Sequence, residues 1–102
     1  MKSVLEFQAA RNQGRAISMV TSYDCWSARL IEESPIDCIL VGDSAAMVMH
    51  GGTNTLGATL EMMVSHVRAV RSGAPRKLLI ADMPFLSHRK GIPAAMEAVE
   101  AL

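Results

Sequence analysis

The chain has 102 residues, half of them hydrophobic, and its ten basic and ten acidic side chains leave no formal net charge at pH 7. That supplies the core of one domain and no more. The charge balance excludes a basic footprint for nucleic acid and a polybasic patch for membranes, and favours small-molecule chemistry.

From the amino terminus, "MKSVLEFQAARNQGR" has no continuous apolar h-region or small-residue cleavage site, and no later stretch approaches the roughly 20 apolar residues of a membrane span. A soluble, unprocessed chain is expected. Cys25 and Cys38 lack the spacing of a redox or zinc pair and are too few for a disulfide framework, which suits a reducing cytoplasm. Ser3 to Asn12 carry a short amphipathic helical pattern, with Val4, Leu5 and Phe7, ended at the Gly14 turn. Ile17, Met19 and Val20 then predict a strand, with Thr21, Ser22, Tyr23 and Asp24 gathered at its end. In "CWSARLIEESP" the spacing predicts a helix whose broad apolar face includes Trp26, Ala28, Leu30 and Ile31, ended by Pro35.

"IDCILVG" predicts a second strand, so apolar from Cys38 to Val41 that coverage on both faces is expected. Residues 45–59 are rich in Gly, Thr and Asn with no helix or strand period, and are expected to form a long functional loop. Thr59 can cap a helix from Leu60 to about Arg71, with Met62, Met63, His66, Val67 and Val70 in helical period and Gly73 as the stop. "RKLLIADMPF" predicts a third strand, Leu78 to Ala81, running into Asp82. Ile92 and Pro93 open a last helix with Met96, Val99 and Leu102 on one side. The methionines are expected to fill core space.

Strands alternating with helices imply parallel βα units. Their mean spacing is close to the roughly 31 residues per unit of an eight-unit barrel. The expected fold class is therefore α/β: the N-terminal part of a (β/α)8 TIM barrel, about three βα units after an N-terminal helix. Residues 1–102 would form a single, incomplete domain, because three strands alone leave open sheet edges.

In such folds ligands sit beyond the carboxyl ends of the strands, where Asp43 and Asp82 fall. Two carboxylates with water and a chelating substrate suit Mg2+. Aspartates also start loops and cap turns, and that plainer role stays open on pattern alone. His50 and His66 are expected to have structural or solvent roles, and His88 has no assigned role. Cys25 is read as a buried or semi-buried thiol and Cys38 as core. Tyr23 and Asp24 can shape a pocket, although Asp24 can equally cap the helix after it. "GGTN" lacks the pattern of a phosphate-binding loop.

Read together, "MVTSYD", "ILVGDS", "NTL…T", "HVRAVRSGA" and "IADMPF" occur in the order and near-ungapped spacing of one family. From about Ala16 to Leu102 the chain resembles the ketopantoate (3-methyl-2-oxobutanoate) hydroxymethyltransferases. The resemblance implies a (β/α)8 barrel that converts 3-methyl-2-oxobutanoate and 5,10-methylenetetrahydrofolate into 2-dehydropantoate and tetrahydrofolate in pantothenate biosynthesis. It further implies a cytoplasmic homo-oligomer, usually a decamer, with Mg2+ as cofactor.

Residue by residue, the resemblance makes Asp43 and Asp82 metal ligands and makes Asp43, Ser44 and Asp82 the substrate-binding set. The general base, a lysine and a further glutamate of the family fall beyond Leu102, so no catalytic base is expected within this chain. The pattern departs at Ala45-Ala46, where Leu-Gly is usual, and at Gly57, where proline is usual. Two further readings stay open: a related Mg2+-dependent, enolate-forming lyase or mutase, and a truncated non-catalytic relative that associates with a complete barrel.

Overall fold

The computed structural model describes residues 3–84. His88 and the helix expected from Ile92 onward lie outside the described residues. Four α-helices and three strands follow one another: α1 Val4–Asn12, β1 Met19–Thr21, α2 Cys25–Glu32, β2 Cys38–Val41, α3 Ala45–Val48, α4 Leu60–Gly73 and β3 Leu78–Ala81. A 3-10 turn, Thr55–Gly57, separates α3 from α4.

The strands form one parallel sheet in the order β1-β2-β3. This is the α/β arrangement expected for successive βα units. Register aligns Met19, Cys38 and Leu78 in one row and Thr21, Leu40 and Ile80 in another. Because side chains alternate along a strand, Ile39, Val41, Leu79 and Ala81 share one sheet face. That face meets Ala28 and Ile31 of α2 and Met63, Val67 and Val70 of α4 in the hydrophobic core.

The opposite face does not meet the expectation of two-sided cover. Cys38 is buried there, yet Met19 and Ile80 are exposed and Leu40 and Leu78 only half-buried. The helices α2 and α4 pack on the other side.

Side-chain caps open α2 and α4. Asp24 Oδ1 accepts from the Ser27 N–H at 2.7 Å, which gives Asp24 the capping role at α2. Thr59 Oγ1 accepts from the Met62 N–H at 3.1 Å and opens α4. At the other end of α4, Arg71 Nη1 donates to the carbonyls of Ala74, Pro75 and Lys77 at 2.9–3.1 Å, holding the turn into β3. Gly73 is the last residue of α4 instead of the stop beyond it. A Cβ there would strike the Cys25 carbonyl oxygen and come within 2.9 Å of the Ala28 Cβ, so glycine permits the close crossing of α2 and α4.

Three further expectations need correction. Residues 45–59 are not one irregular loop, since they form α3 and the 3-10 turn; a single helical turn is too short to show a period. Trp26 and Leu30 do not share the buried face of α2: they are 74% and 61% exposed, while Ala28 is fully buried. Residues four apart lie together on a helix, and Trp26 and Leu30 form their own apolar stripe away from the Ala28 side. Val4 and Leu5 of α1 are likewise exposed. Among the described methionines only Met63 is wholly buried, and Met19, Met47 and Met49 are exposed, so methionine is not mainly core filler in residues 3–84.

Polar contacts lock the sheet at the amino ends of its strands. Asp37 accepts from the Ser18 N–H at 2.9 Å and pairs with Arg15 at 3.3 Å. The Ser18 N–H, and secondarily Arg15, hold the Asp37 carboxyl below its usual value against an opposing effect of burial. Lys77 Nζ donates to the Ser34 carbonyl at 2.8 Å, and Arg76 Nε pairs with Glu32 at 2.9 Å. No helix among the described residues is long and apolar enough to cross a membrane.

Candidate active site

The in-register parallel sheet brings the carboxyl ends of its strands level. Ser22 N–H donates to the Leu40 carbonyl at 3.1 Å, and Asp82 N–H donates to the Val41 carbonyl at 3.1 Å. The residues that follow each strand therefore gather at one end: Tyr23 after β1, Asp43 and Ser44 after β2, Asp82 after β3. Sequence patterning placed these residues at strand ends; the register places them at the same end.

Asp82 reaches across to the neighbouring strand end. Its Oδ2 accepts from the Asp43 N–H at 3.1 Å, across from β3 to the end of β2. A Cβ at Gly42 would lie 3.2 Å from Ser44 Oγ and 3.5 Å from Asp82 Oδ2, tight against the first and touching the second. Glycine thus leaves the Ser44 hydroxyl more room at the strand end.

Ser44 has a separate partner. It stands at the N-terminal boundary of α3 but makes no side-chain cap. Its Oγ instead lies 2.6 Å from the Tyr23 hydroxyl, with either oxygen able to donate. Tyr23 is the member of the cluster that sequence reasoning named only as a possible pocket shaper. Its position directly after β1 was the available signal, but a partner 21 positions away cannot be read from local pattern.

Asp43 is half-buried and its carboxyl is raised above the usual carboxylate range. Burial is the larger cause and the neighbouring Asp82 charge the next. Two carboxylates set together with one disfavoured as an anion make a place where a cation is electrostatically welcome. Their oxygens are hard donors of the kind Mg2+ takes, and Mg2+ keeps several waters of its own. Among the described residues no group of three or more His, Cys, Asp or Glu side chains is placed to hold a metal, so the pair would leave most positions around an ion to water and substrate.

His50 and His66 are paired elsewhere than with Asp43. His66 Nδ1 lies 2.8 Å from the Tyr23 carbonyl oxygen, and its Nε2 lies 2.9 Å from His50 Nε2. The structural role expected of His66 is therefore specific: it anchors the backbone of Tyr23. Cys25 is a half-buried free thiol and Cys38 a buried one, whose pKa is raised mainly by burial. Ala46 is helical and buried, and Gly57 has open space where a Cβ would sit, so neither departure disturbs Asp43, Ser44 or Asp82.

Comparison with known proteins matches residues 1–102 to the family model described as ketopantoate hydroxymethyltransferase. A 3-methyl-2-oxobutanoate hydroxymethyltransferase of Coxiella burnetii is 55% identical over 97 residues, which cover 95% of this chain and 36% of that protein. Enzymes of the same name from Bdellovibrio bacteriovorus and Francisella tularensis are 50% and 48% identical, over 98% and 100% of this chain. The chain spans little more than a third of the length of these relatives, 36–38%.

Proposed function

The chain belongs to the ketopantoate hydroxymethyltransferase family, and from that premise we propose that it supplies the first strand ends of a hydroxymethyltransferase site for 3-methyl-2-oxobutanoate. The observation that carries this reading is the convergence of Asp43 and Asp82 through the Asp43 N–H to Asp82 Oδ2 bond. Residues 1–102 are then the N-terminal segment of one (β/α)8 domain. Closing such a barrel would cover the half-exposed sheet face bearing Met19, Leu40, Leu78 and Ile80.

Asp43 and Asp82 would hold Mg2+, which when bound supplies Lewis-acid polarisation of a keto oxygen. The carboxylates fix where an α-keto acid can chelate, and so which carbon lies next to the polarised carbonyl. Ser44 Oγ, oriented by Tyr23, presents a hydroxyl beside the Asp43 carboxylate for a polar group of the substrate. A base outside residues 1–102 removes the proton from the carbon next to the keto group. That carbon then bonds to the one-carbon unit of 5,10-methylenetetrahydrofolate; with water, the products are 2-dehydropantoate and tetrahydrofolate. Cytoplasmic location and homo-oligomeric assembly accompany this reading.

Turnover by the protein carrying this chain tests it. Mg2+-dependent formation of 2-dehydropantoate is expected, with Asp82→Asn lowering kcat/KM by about a hundredfold or more, the scale of losing a key electrostatic group. Unchanged turnover in Asp82→Asn, or preference for a 2-methylisocitrate-type lyase substrate, would contradict it.

A further inference from the structure

Two histidines that the proposed reaction leaves unused stand head to head. His50 follows α3 and is exposed; His66 lies in the middle of α4. Their Nε2 atoms are 2.9 Å apart, the rings are near perpendicular at 76°, and the ring centroids are 5.2 Å apart.

His66 Nδ1 lies 2.8 Å from the Tyr23 carbonyl oxygen. A carbonyl only accepts, so Nδ1 carries the hydrogen and Nε2 carries a lone pair. This is how metal-ligating histidines are held: a fixed acceptor on one ring nitrogen sets the tautomer and makes the other more basic. In the neutral pair, His50 Nε2 donates its hydrogen to His66.

We propose that His50 and His66 form a site for a borderline transition-metal ion of the Zn2+ class, separate from the carboxylate pair. With Zn–N at about 2.0–2.1 Å and a tetrahedral angle at the metal, two imidazole centroids sit about 5.2 Å apart. The centroids already stand at that spacing, whereas the Nε2 atoms, 2.9 Å apart in their hydrogen bond, open to about 3.3–3.4 Å for that angle, a small movement for the exposed His50. The hydrogen on His50 Nε2 moves to its Nδ1 through solvent, and no proton is lost overall. Imidazole nitrogens select Zn2+, Cu2+ or Ni2+, whereas the carboxylates of Asp43 and Asp82 select a hard ion.

No third His, Cys, Asp or Glu completes a cluster among the described residues, so water fills the remaining positions. The ion acts as a clip. It ties the segment after α3 to the middle of α4 and, through the Tyr23 carbonyl, to the strand end that carries the Ser44 partner. This inference does not depend on the proposed reaction.

The test is a calorimetric titration of ZnCl2 into the full chain in excess MgCl2, with histidine resonances followed by NMR. One Zn2+ is expected to bind and to shift the ring signals of both His50 and His66. Affinity is expected to fall at least tenfold in His50→Gln, which alters an exposed side chain, and to persist in Asp43→Asn. Equal Zn2+ affinity in His50→Gln, or Zn2+ binding that leaves the His50 and His66 signals unmoved, would overturn the proposal.

Discussion

Asp43 is the residue on which the electrostatic argument turns. Burial first, and the Asp82 charge second, hold its carboxyl above the ordinary value of 3.8. A raised folded-state pKa in an acid means that ionisation opposes folding. The stability associated with the protonated form is present at low pH and is lost as the pH rises through the folded value. Asp43→Asn, which cannot ionise, is therefore expected to have a higher Tm than the parent at pH 7 in metal-free buffer. The difference should shrink to nothing below pH 3.8, where both chains carry a neutral group. Thermal melts at several pH values check this, and a lower Tm for Asp43→Asn at pH 7 would count against it.

At the scale of elements, the crossing of α2 and α4 depends on Gly73. A methyl group at that position meets the Cys25 carbonyl oxygen, the Ala28 Cβ and the Arg29 backbone nitrogen, none of them a flexible side-chain tip. Gly73→Ala is expected to destabilise the chain by about 1–3 kcal/mol, the usual range for overpacking, even though alanine is the better helix former. Urea unfolding measures it. A neutral or stabilising result would mean the two helices can part without loss.

The same crossing shows what the sequence could and could not disclose. Helical period and capping residues placed α2 and α4, and the apolar runs placed β2 and β3, because those signals are local. Gly73 read as a stop because nothing local distinguishes a terminating glycine from one pressed against another helix. Trp26 and Leu30 read as sharing one broad apolar face with Ala28 because hydrophobicity reports only that a face is apolar, not which of two apolar faces the sheet covers. α3 was missed because one turn cannot display a period. In the site, Asp43 and Asp82 were legible from their strand-end positions, while the Tyr23–Ser44 and His50–His66 pairings join distant positions and needed the parallel register and tertiary packing to appear.

For the whole molecule, one sheet face is packed and the other half-open, and the described β1 and β3 each pair on one side only. Barrel closure would provide for both, and the open edges and the convergent strand ends follow from the same topology. Every chemical claim about the site rests on those ends acting together to hold a divalent ion and an α-keto acid. The most direct measurement is calorimetric titration of 3-methyl-2-oxobutanoate into the protein with and without MgCl2, using the parent chain and Asp43→Asn. Binding that requires Mg2+ and weakens at least tenfold in Asp43→Asn is the predicted result; binding that ignores Mg2+, or is equally tight in Asp43→Asn, would contradict the account.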